Sequence, residues 1–365
     1  MPADKPARLP PVRVARAVDA VRRRLRRAEQ RMVPAPAAVL DLMTGAWVSR
    51  AIYTAAKFGI ADVLSDGPRS ALEIAHEVDA NPDAVHRLLR MLASRGIFTQ
   101  HGDGRFGLTP MADALRSEAP TSVRGIVLFF GHPNHWEHWG HLPYSVQTGQ
   151  PSVDALRGKP MFEWLDDQPE FAAVFNEGMT SASETEIEPV LAAYDFSDFG
   201  TIVDVGGGHG RLLAAILRRA PRARGILFDA ESVVAGAPVV LDAAGVADRT
   251  AVVGGSFFES VPSGGDAYVL KHIVHDWDES KVLEILRNVR SAMAANTKLL
   301  VIETVIPADD REHLSKLLDL EMLVAGTGKE RTAVEYRQLL NRAGFRNTRV
   351  IPTVGPVSIV ESEAA

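Results

Sequence analysis

The pattern of apolar and polar positions changes character near residue 200. Beyond it, short apolar runs recur: TIVDVG (201–206), GILFDA (225–230), TAVVGG (250–255), DAYVLKHIV (266–274) and KLLVIET (298–304). Each has the length and composition of a strand buried on both faces in a parallel sheet. RLLAAILRRA (211–220) and SKVLEILRNVRSAM (280–293) lie between them with helical spacing. Strands alternating with helices make right-handed βαβ units and a doubly wound sheet. The chain end differs. NTRVIPTVGPVSIVESE (347–363) holds two strand-like runs joined by a few residues around Gly355 and Pro356. A parallel crossover needs about a dozen residues, so these two strands must be antiparallel. The pattern predicts a mostly parallel sheet closed by an antiparallel C-terminal hairpin, with ligands outside the C-terminal strand ends.

The first 200 residues read as mainly helical. Residues 1–32 are arginine-rich, with Val14, Val18, Val21, Leu25 and Met32 at roughly helical spacing. They form an expected partly ordered amphipathic arm with a solvated basic face; contact with an acidic surface or a membrane is the alternative. VPAPAAV (33–39) reads as a linker into the first packed helix. Between 37 and 110 the pattern is helical and ends in a hairpin. Asn81 suits an N-cap and Pro82 the first helical position. Leu88, Leu89, Met91 and Leu92 then supply a buried face, and Gly96 ends the helix. IFTQHGDGRFGLT (97–109) follows as strand, turn and strand. Helix, turn, helix and hairpin together make a winged-helix pattern.

That pattern serves dimerisation modules as well as DNA-binding ones, and His86, Arg87, Arg90 and Arg95 on the second helix suit phosphate contacts. Residues 116–190 are helical and aromatic-rich, and GHPNHWEHWGHLPYSV places His132, His135, His138 and His141 three apart. Steps of three drift by about 60° each around a helix, so these histidines do not converge as metal ligands. Pro133 also puts His132 outside the helix. The segment reads as a connector whose aromatic face lines a pocket or an interface. The expected organisation is a basic arm (1–32), a winged-helix domain (33–115), a helical connector (116–190) and a sheet domain (191–365).

Composition narrows the function classes. The chain has 365 residues, 46% hydrophobic and 24% charged, with a formal net charge of -6, which argues against nucleic-acid binding driven by net charge. It contains no cysteine, which removes disulfides, thiol nucleophiles and Cys-ligated metal and fits a reducing compartment. No apolar run approaches the roughly 20 residues of a membrane span, and no secretory signal pattern opens the chain, so a cytoplasmic protein is expected.

The candidate chemistry sits at the ends of the strands. In DVGGGHG (204–210), Gly206, Gly208 and Gly210 follow the first strand and open a helix, which lets a ligand approach the backbone closely. Asp204 heads this run. Asp229 ends the second strand, where a carboxylate can accept hydrogen bonds from both hydroxyls of a ribose. Ser256 and Phe257 in GGSFF end the third strand, where a phenyl ring can stack on a base. These features point to a nucleoside-bearing ligand and leave NAD and S-adenosylmethionine both open. LKHIVHDWDES (270–280) holds two histidines. By strand alternation His272 belongs to the buried run and reads as core. His275 lies beyond it, at the mouth, and is the candidate base.

Taken in order, DVGGGHGRLL, FDAESVV, GGSFF, LKHIVHDWDESKVLEILRN, VIETVIP and GTGKERT resemble the class I S-adenosylmethionine-dependent O-methyltransferases. The closest subgroup is the small-molecule one, plant caffeate-type and bacterial polyketide-tailoring. The resemblance spans about residues 35–360 and includes a winged-helix dimerisation domain. It implies an α/β Rossmann-like methyltransferase fold, with a mostly parallel seven-stranded sheet ending in an antiparallel hairpin and a mainly α-helical N-terminal domain. It implies His275 as general base flanked by Glu303 and Glu330, Lys271 near the adenine, and Asp229 on the ribose. Gly206 and Gly208 match the turn beside the cofactor's methionine part. FDAESVV departs from the pattern by lacking the Leu-Pro that follows the acid, and Ser256 stands where plant members often have Asp.

Met179, Phe175, Trp164 and Phe162 are the candidate residues for a flat apolar acceptor pocket. The resulting expectation is a homodimer, paired through its N-terminal domain, that methylates a small hydroxylated acceptor. S-adenosylmethionine is the cofactor, S-adenosylhomocysteine the product, and no metal is involved. The rivals are a cofactor-binding tailoring enzyme of non-methylating chemistry, such as a hydroxylase or decarboxylase, and a winged-helix regulator that binds DNA.

Overall fold

The computed structural model describes residues 9–365; residues 1–8, the start of the expected basic arm, lie outside the described residues. The chain divides into two compact units, one built on residues 141–161 and 186–365 together with the stretch up to Val21, the other on 22–140 and 162–185.

The first unit is built on a sheet in the order β5-β4-β3-β6-β7-β10-β9. Its strands are β3 (Thr201–Val205), β4 (Arg224–Asp229), β5 (Thr250–Gly254), β6 (Ala267–Lys271), β7 (Lys298–Ile306), β9 (Phe345–Pro352) and β10 (Val357–Ala364). The first five run parallel. β10 returns antiparallel to β7, and β9 to β10, as the short connection at Gly355 requires. A two-residue strand, β8 (Arg331–Thr332), adds to β7 beyond the seven expected.

Period-two alternation divides the strand side chains between two cores. Ile202, Leu227, Val269, Leu300, Ile302 and Ile359 pack on one face, against Leu213 and Leu217 of the Arg211–Arg219 helix. Val203, Val205, Leu270, Leu299, Val301 and Val360 pack on the other, against Val282 and Leu286 of the Glu279–Ala292 helix.

Two of the strands differ from expectation. β5 is not a buried strand: it lies at the sheet's outer edge with a single neighbour, and Val252 and Val253 are 40% and 36% exposed. β6 stops at Lys271 rather than running to Val274, because His272 takes a φ of 55°. That left-handed backbone is uncommon for a residue with a Cβ, and it turns the chain out of the sheet.

In the second unit the capping signals act as the sequence suggests. Ser70 and Glu73 form a reciprocal capping box on the Ala71–Glu77 helix, and Asn81 accepts from Ala84 N at the start of Pro82–Ser94, with Pro82 in its first turn. Gly96 (φ 73°) turns the chain into β1 (Phe98–Gln100), which pairs antiparallel with β2 (Phe106–Leu108). Leu89 and Leu92 are fully buried with Ile60, Ile74, Phe98 and Phe106, while Leu88 and Met91 border that core. His86 sets its ring edge-on to Phe106, and Arg87 and Arg95 pair with Asp83 and Asp41, so part of the expected phosphate-facing set is engaged within the unit.

The N-terminal segment is more ordered than expected. Val12–Arg31 is one helix with no buried residue, and the linker shrinks to about residues 32–34, because Ala35–Lys57 is already helical with Pro36 in its first turn. Proline suits that turn, where its missing N–H has no partner to lose. His132 lies just ahead of the Pro133–Gly140 helix. His135 and His138 are buried, the first against Phe129 and Phe130 and the second against Trp164.

Candidate active site

Everything at the site follows from where β3, β4, β6 and β7 end. After β3 the chain passes through Gly206 (φ 70°), Gly208 (φ 58°) and Gly210 (φ 79°) before the Arg211–Arg219 helix. Gly206 N donates to Phe228 O and Gly210 N to Gly207 O, closing the turn. At Gly207 an added Cβ would lie 2.6 Å from the Asp204 carboxyl and 2.5 Å from Leu227. No side chain fits there.

Two acids support this turn. Asp229 accepts from Gly208 N (2.8 Å) and from Ala230 N (2.7 Å), which fixes its carboxylate and leaves lone pairs on both oxygens for a ligand. Asp204 is buried, and its Oδ2 has no hydrogen-bond partner. Burial and the Asp229 charge push it up to about 7, so near neutrality it holds a proton that an ordinary aspartate has lost. A buried acid of this kind beneath an open glycine turn is suited to a cationic ligand group.

The base candidate sits on the turn after β6. Ile273 packs against the glycine turn, since a Cβ added to Gly206 would meet it at 2.4 Å; Phe257 also borders that point, at 3.6 Å. Phe257 packs against Phe258 and Trp277, and Asn288 Nδ2 donates to the Phe257 and Phe258 carbonyls. Ser256 Oγ accepts from Phe258 N. Asp278, two residues past HDW's aspartate, caps the Glu279–Ala292 helix by accepting from Ser280 N and Lys281 N.

His275 and Glu303 form a tight pair. Glu303 Oε2 lies 2.5 Å from His275 Nδ1, and its Oε1 accepts from the backbone N–H groups of Ile273, Val274 and His275. Glu330 Oε1 stands 3.6 Å from the same Nδ1, and the ring's Nε2 lies 3.1 Å from Asp276 Oδ1. Burial disfavours the imidazolium, but Glu303 and Asp276 outweigh it and raise His275 well above the usual histidine value. Burial opposes the Glu303 charge too, yet His275 holds it well below the usual carboxylate range. Glu330 is the reverse case: burial, reinforced by the Glu303 charge against the opposing effects of His275 and Thr304, pushes it up to about 7.

His272 is not core, contrary to its place in the apolar run. Turned out of β6, it directs Nε2 to Glu186 Oε2 (2.7 Å) and Nδ1 toward Glu303 Oε2 (3.7 Å), and its ring centroid lies 5.1 Å from that of His275. Lys271 Nζ meets the same Glu186 oxygen at 2.7 Å.

Among the described residues, His272, His275 and Glu303 are the one grouping compact enough to consider for a metal ion. However, two ligands on bonds of about 2.0–2.1 Å at a tetrahedral angle stand roughly 3.3 Å apart. The 2.5 Å approach of His275 to Glu303 is that of a hydrogen-bonded dyad.

The structure thus gathers Asp204, Gly206, Gly208, Asp229 and Phe257 at one turn, and His275, Glu303, Glu330 and Lys271 beside it. The four acceptor candidates lie in the other unit. There Phe175 is edge-on to Phe129 and Phe162, Trp164 is buried against His138 and Phe171, and Met179 and Phe162 are 38% and 46% exposed.

Sequence reasoning missed Glu186, which looks like any surface acid in SETEIEP, and Gly328. A Cβ on Gly328 would lie 1.8 Å from the His275 carbonyl oxygen, so only glycine lets the 326–330 loop press against the His275 backbone. Its second glycine, two residues after the first, was the available signal.

Comparison with known proteins bears on the family. A family model described as an O-methyltransferase domain matches residues 139–346, and one described as an O-methyltransferase dimerisation domain matches 40–118. The chain is 43% identical over 330 residues to a phenazine O-methyltransferase of Lysobacter antibioticus, covering 90% of this chain and 96% of that one. It is 39% identical to a mitomycin biosynthesis 6-O-methyltransferase of Streptomyces lavendulae, covering 90% and 94%. The solved structure of a methyltransferase in calicheamicin biosynthesis, in its S-adenosylhomocysteine-bound form, superposes with a TM-score of 0.83 at 37% identity, covering 91% of this chain and 98% of that one.

Proposed function

The chain belongs to the S-adenosylmethionine-dependent O-methyltransferase family, and from that membership we propose the rest: a cytoplasmic homodimer, paired through its N-terminal domain, that methylates a hydroxyl of a small aromatic or polyketide-like molecule with His275 as general base. The observation that carries the proposal is the His275–Glu303 dyad, mounted on a turn whose Ile273 packs against the glycine turn.

The residues present fit the cofactor. Asp229 would take the ribose hydroxyls, Asp204 and the glycine turn at Gly206 and Gly208 the aminoacid end, and Phe257 and Ser256 the adenine side. Lys271, at the end of β6, favours ionised Asp204 through its charge. S-adenosylmethionine supplies an activated methyl group and a neutral leaving group.

What remains for the protein is to position an oxygen and remove its proton. A phenol of pKa about 10 transfers its proton to an ordinary imidazole uphill by roughly 5 kcal/mol. Glu303 lessens that cost by stabilising the imidazolium, and it fixes the tautomer: Nδ1–H donates to Glu303, and Nε2 offers its lone pair to the acceptor hydroxyl. When Nε2 carries a proton it faces the Asp276 carboxylate at 3.1 Å, and the hydroxyl takes that place once the proton is gone. Met179, Phe175, Phe162 and Trp164 remain the candidates for the flat apolar surface that an acceptor's ring requires.

The test is methyl transfer from labelled cofactor to a panel of phenols and matched anilines. Label on phenol oxygen is expected, with His275→Ala losing about 10²–10⁴-fold in kcat while S-adenosylhomocysteine affinity holds. Transfer confined to amines, or a His275→Ala enzyme close to wild type, would overturn the assignment.

A further inference from the structure

His272 occupies a position that the mechanism above does not use. Its backbone is left-handed, a conformation that is costly for a residue with a Cβ and that persists where surrounding contacts enforce it. The enforcing contacts are visible. Nε2 is held 2.7 Å from Glu186, a carboxylate only 5% exposed, which reaches the site from the Pro169–Ala193 helix. Nδ1 is buried, lacks a hydrogen-bond partner and points at Glu303 Oε2, the same oxygen that meets His275. One carboxylate therefore faces two imidazoles.

We propose that His272 is a positioning residue for the base: clamped by Glu186, it draws on the same Glu303 oxygen that meets His275 and so limits how strongly Glu303 holds a proton on the base. The inference rests on the reading of His275 as general base. A base must be neutral at Nε2 to accept a proton. Glu303, Glu330 and Asp276 face His275 from β7, from the loop before β8 and from its own turn, and unopposed they would keep it charged. Arg331 and Tyr336 stand behind Glu303 and Glu330. The groups facing His272 are Glu186, Lys271, Glu303, Glu330 and His275 itself. Burial works against its charge, but Glu186 outweighs burial and raises His272 above the usual histidine value. A cationic His272 beside Glu303 lowers the affinity of His275 for a proton. Removing that cation raises it.

Two variants separate the roles. His272→Asn keeps a residue tolerant of left-handed backbone; His272→Gln keeps an amide donor for Glu186; neither carries charge. The readout is the titration of the His275 imidazole in selectively labelled full-length protein, followed by NMR, beside the pH dependence of kcat/KM. In both variants the His275 titration moves up by about one unit, and the acid limb of kcat/KM moves up with it. Glu303→Gln moves both down. A His275 titration unchanged in either variant overturns the inference: unchanged in Asn alone, His272 serves the backbone; unchanged in Gln alone, it serves only the Glu186 hydrogen bond. A titration that moves while the kinetic limb stays put upholds the inference and overturns instead the assignment of His275 as base.

Discussion

At the scale of single residues, the site is a set of carboxyls driven apart in acidity by their surroundings. Asp204 and Glu330 are pushed up to about 7 and Glu186 is held down to about 2, although all three are buried. The difference is the partner: burial raises Glu186 as well, but His272 and Lys271 outweigh it. Asp204 makes a checkable prediction. In the free protein it binds a proton that a cationic ligand group must expel, so S-adenosylhomocysteine should bind more weakly as pH falls below about 7, by up to tenfold per unit. Calorimetric titration across pH 5.5 to about 8.5 checks this, and Asp204→Asn should abolish the slope. The same shift bears on stability. The unfolded aspartate ionises near its ordinary value and the folded one near 7, so the folded state binds the extra proton and, as pH rises from about 4 to 7, the wild type should lose stability relative to Asp204→Asn. Gly328→Ala should act through the backbone of His275, the proposed base. With its Cβ inside the His275 carbonyl, the loop must move, and a shift of about 1 Å at a catalytic group costs up to 10²-fold in rate. We expect kcat to fall more than KM rises, and the melting temperature to fall as for an overpacked core.

At the scale of elements, what matters is where each one stops. The candidate base is available because β6 ends one residue before His272, and the glycine turn is available because β3 ends at Val205. The Val12–Arg31 helix is the opposite case, an element with no fully buried residue. Val14, Val18, Val21 and Leu25 are 49–65% exposed along it. Deleting residues 1–31 should therefore change the melting temperature by no more than surface substitutions do, within about 0.5 kcal/mol, and leave kcat unaltered. A large loss of stability on deletion would show that this apolar stripe is covered in solution.

At the scale of the whole molecule, the Ala35–Lys57 helix carries a larger uncovered surface. Val39, Leu40, Leu42, Met43 and Trp47 are all at least 60% exposed, a run of apolar side chains that a monomer in water rarely presents, and it begins where the dimerisation-domain match begins. If this helix pairs with a second copy, Met43→Asp with Trp47→Asp should convert the species seen by sedimentation from dimer to monomer. A variant that sediments as the wild type does would remove the helix from the interface.

Much of this was readable along the chain because it depends on neighbours in sequence. Asn81 and Pro82 start a helix through their own backbone chemistry, the short link at Gly355 forces antiparallel strands, and the left-handed glycines of 206–210 announce a turn that needs no side chains. The end of the apolar run likewise separated His275 from the strand before it. What the linear pattern could not contain was the distance between groups far apart in the chain. Glu186 lies 86 residues from His272 and Glu303 lies 28 from His275, yet these acids set the charge of both rings. An ionisable side chain takes its character from burial and from the charges around it. Both are properties of the packed molecule, so the sequence by itself determined the elements, the turn and which groups are candidates for the chemistry, and only the tertiary structure decided the surroundings that move their protons.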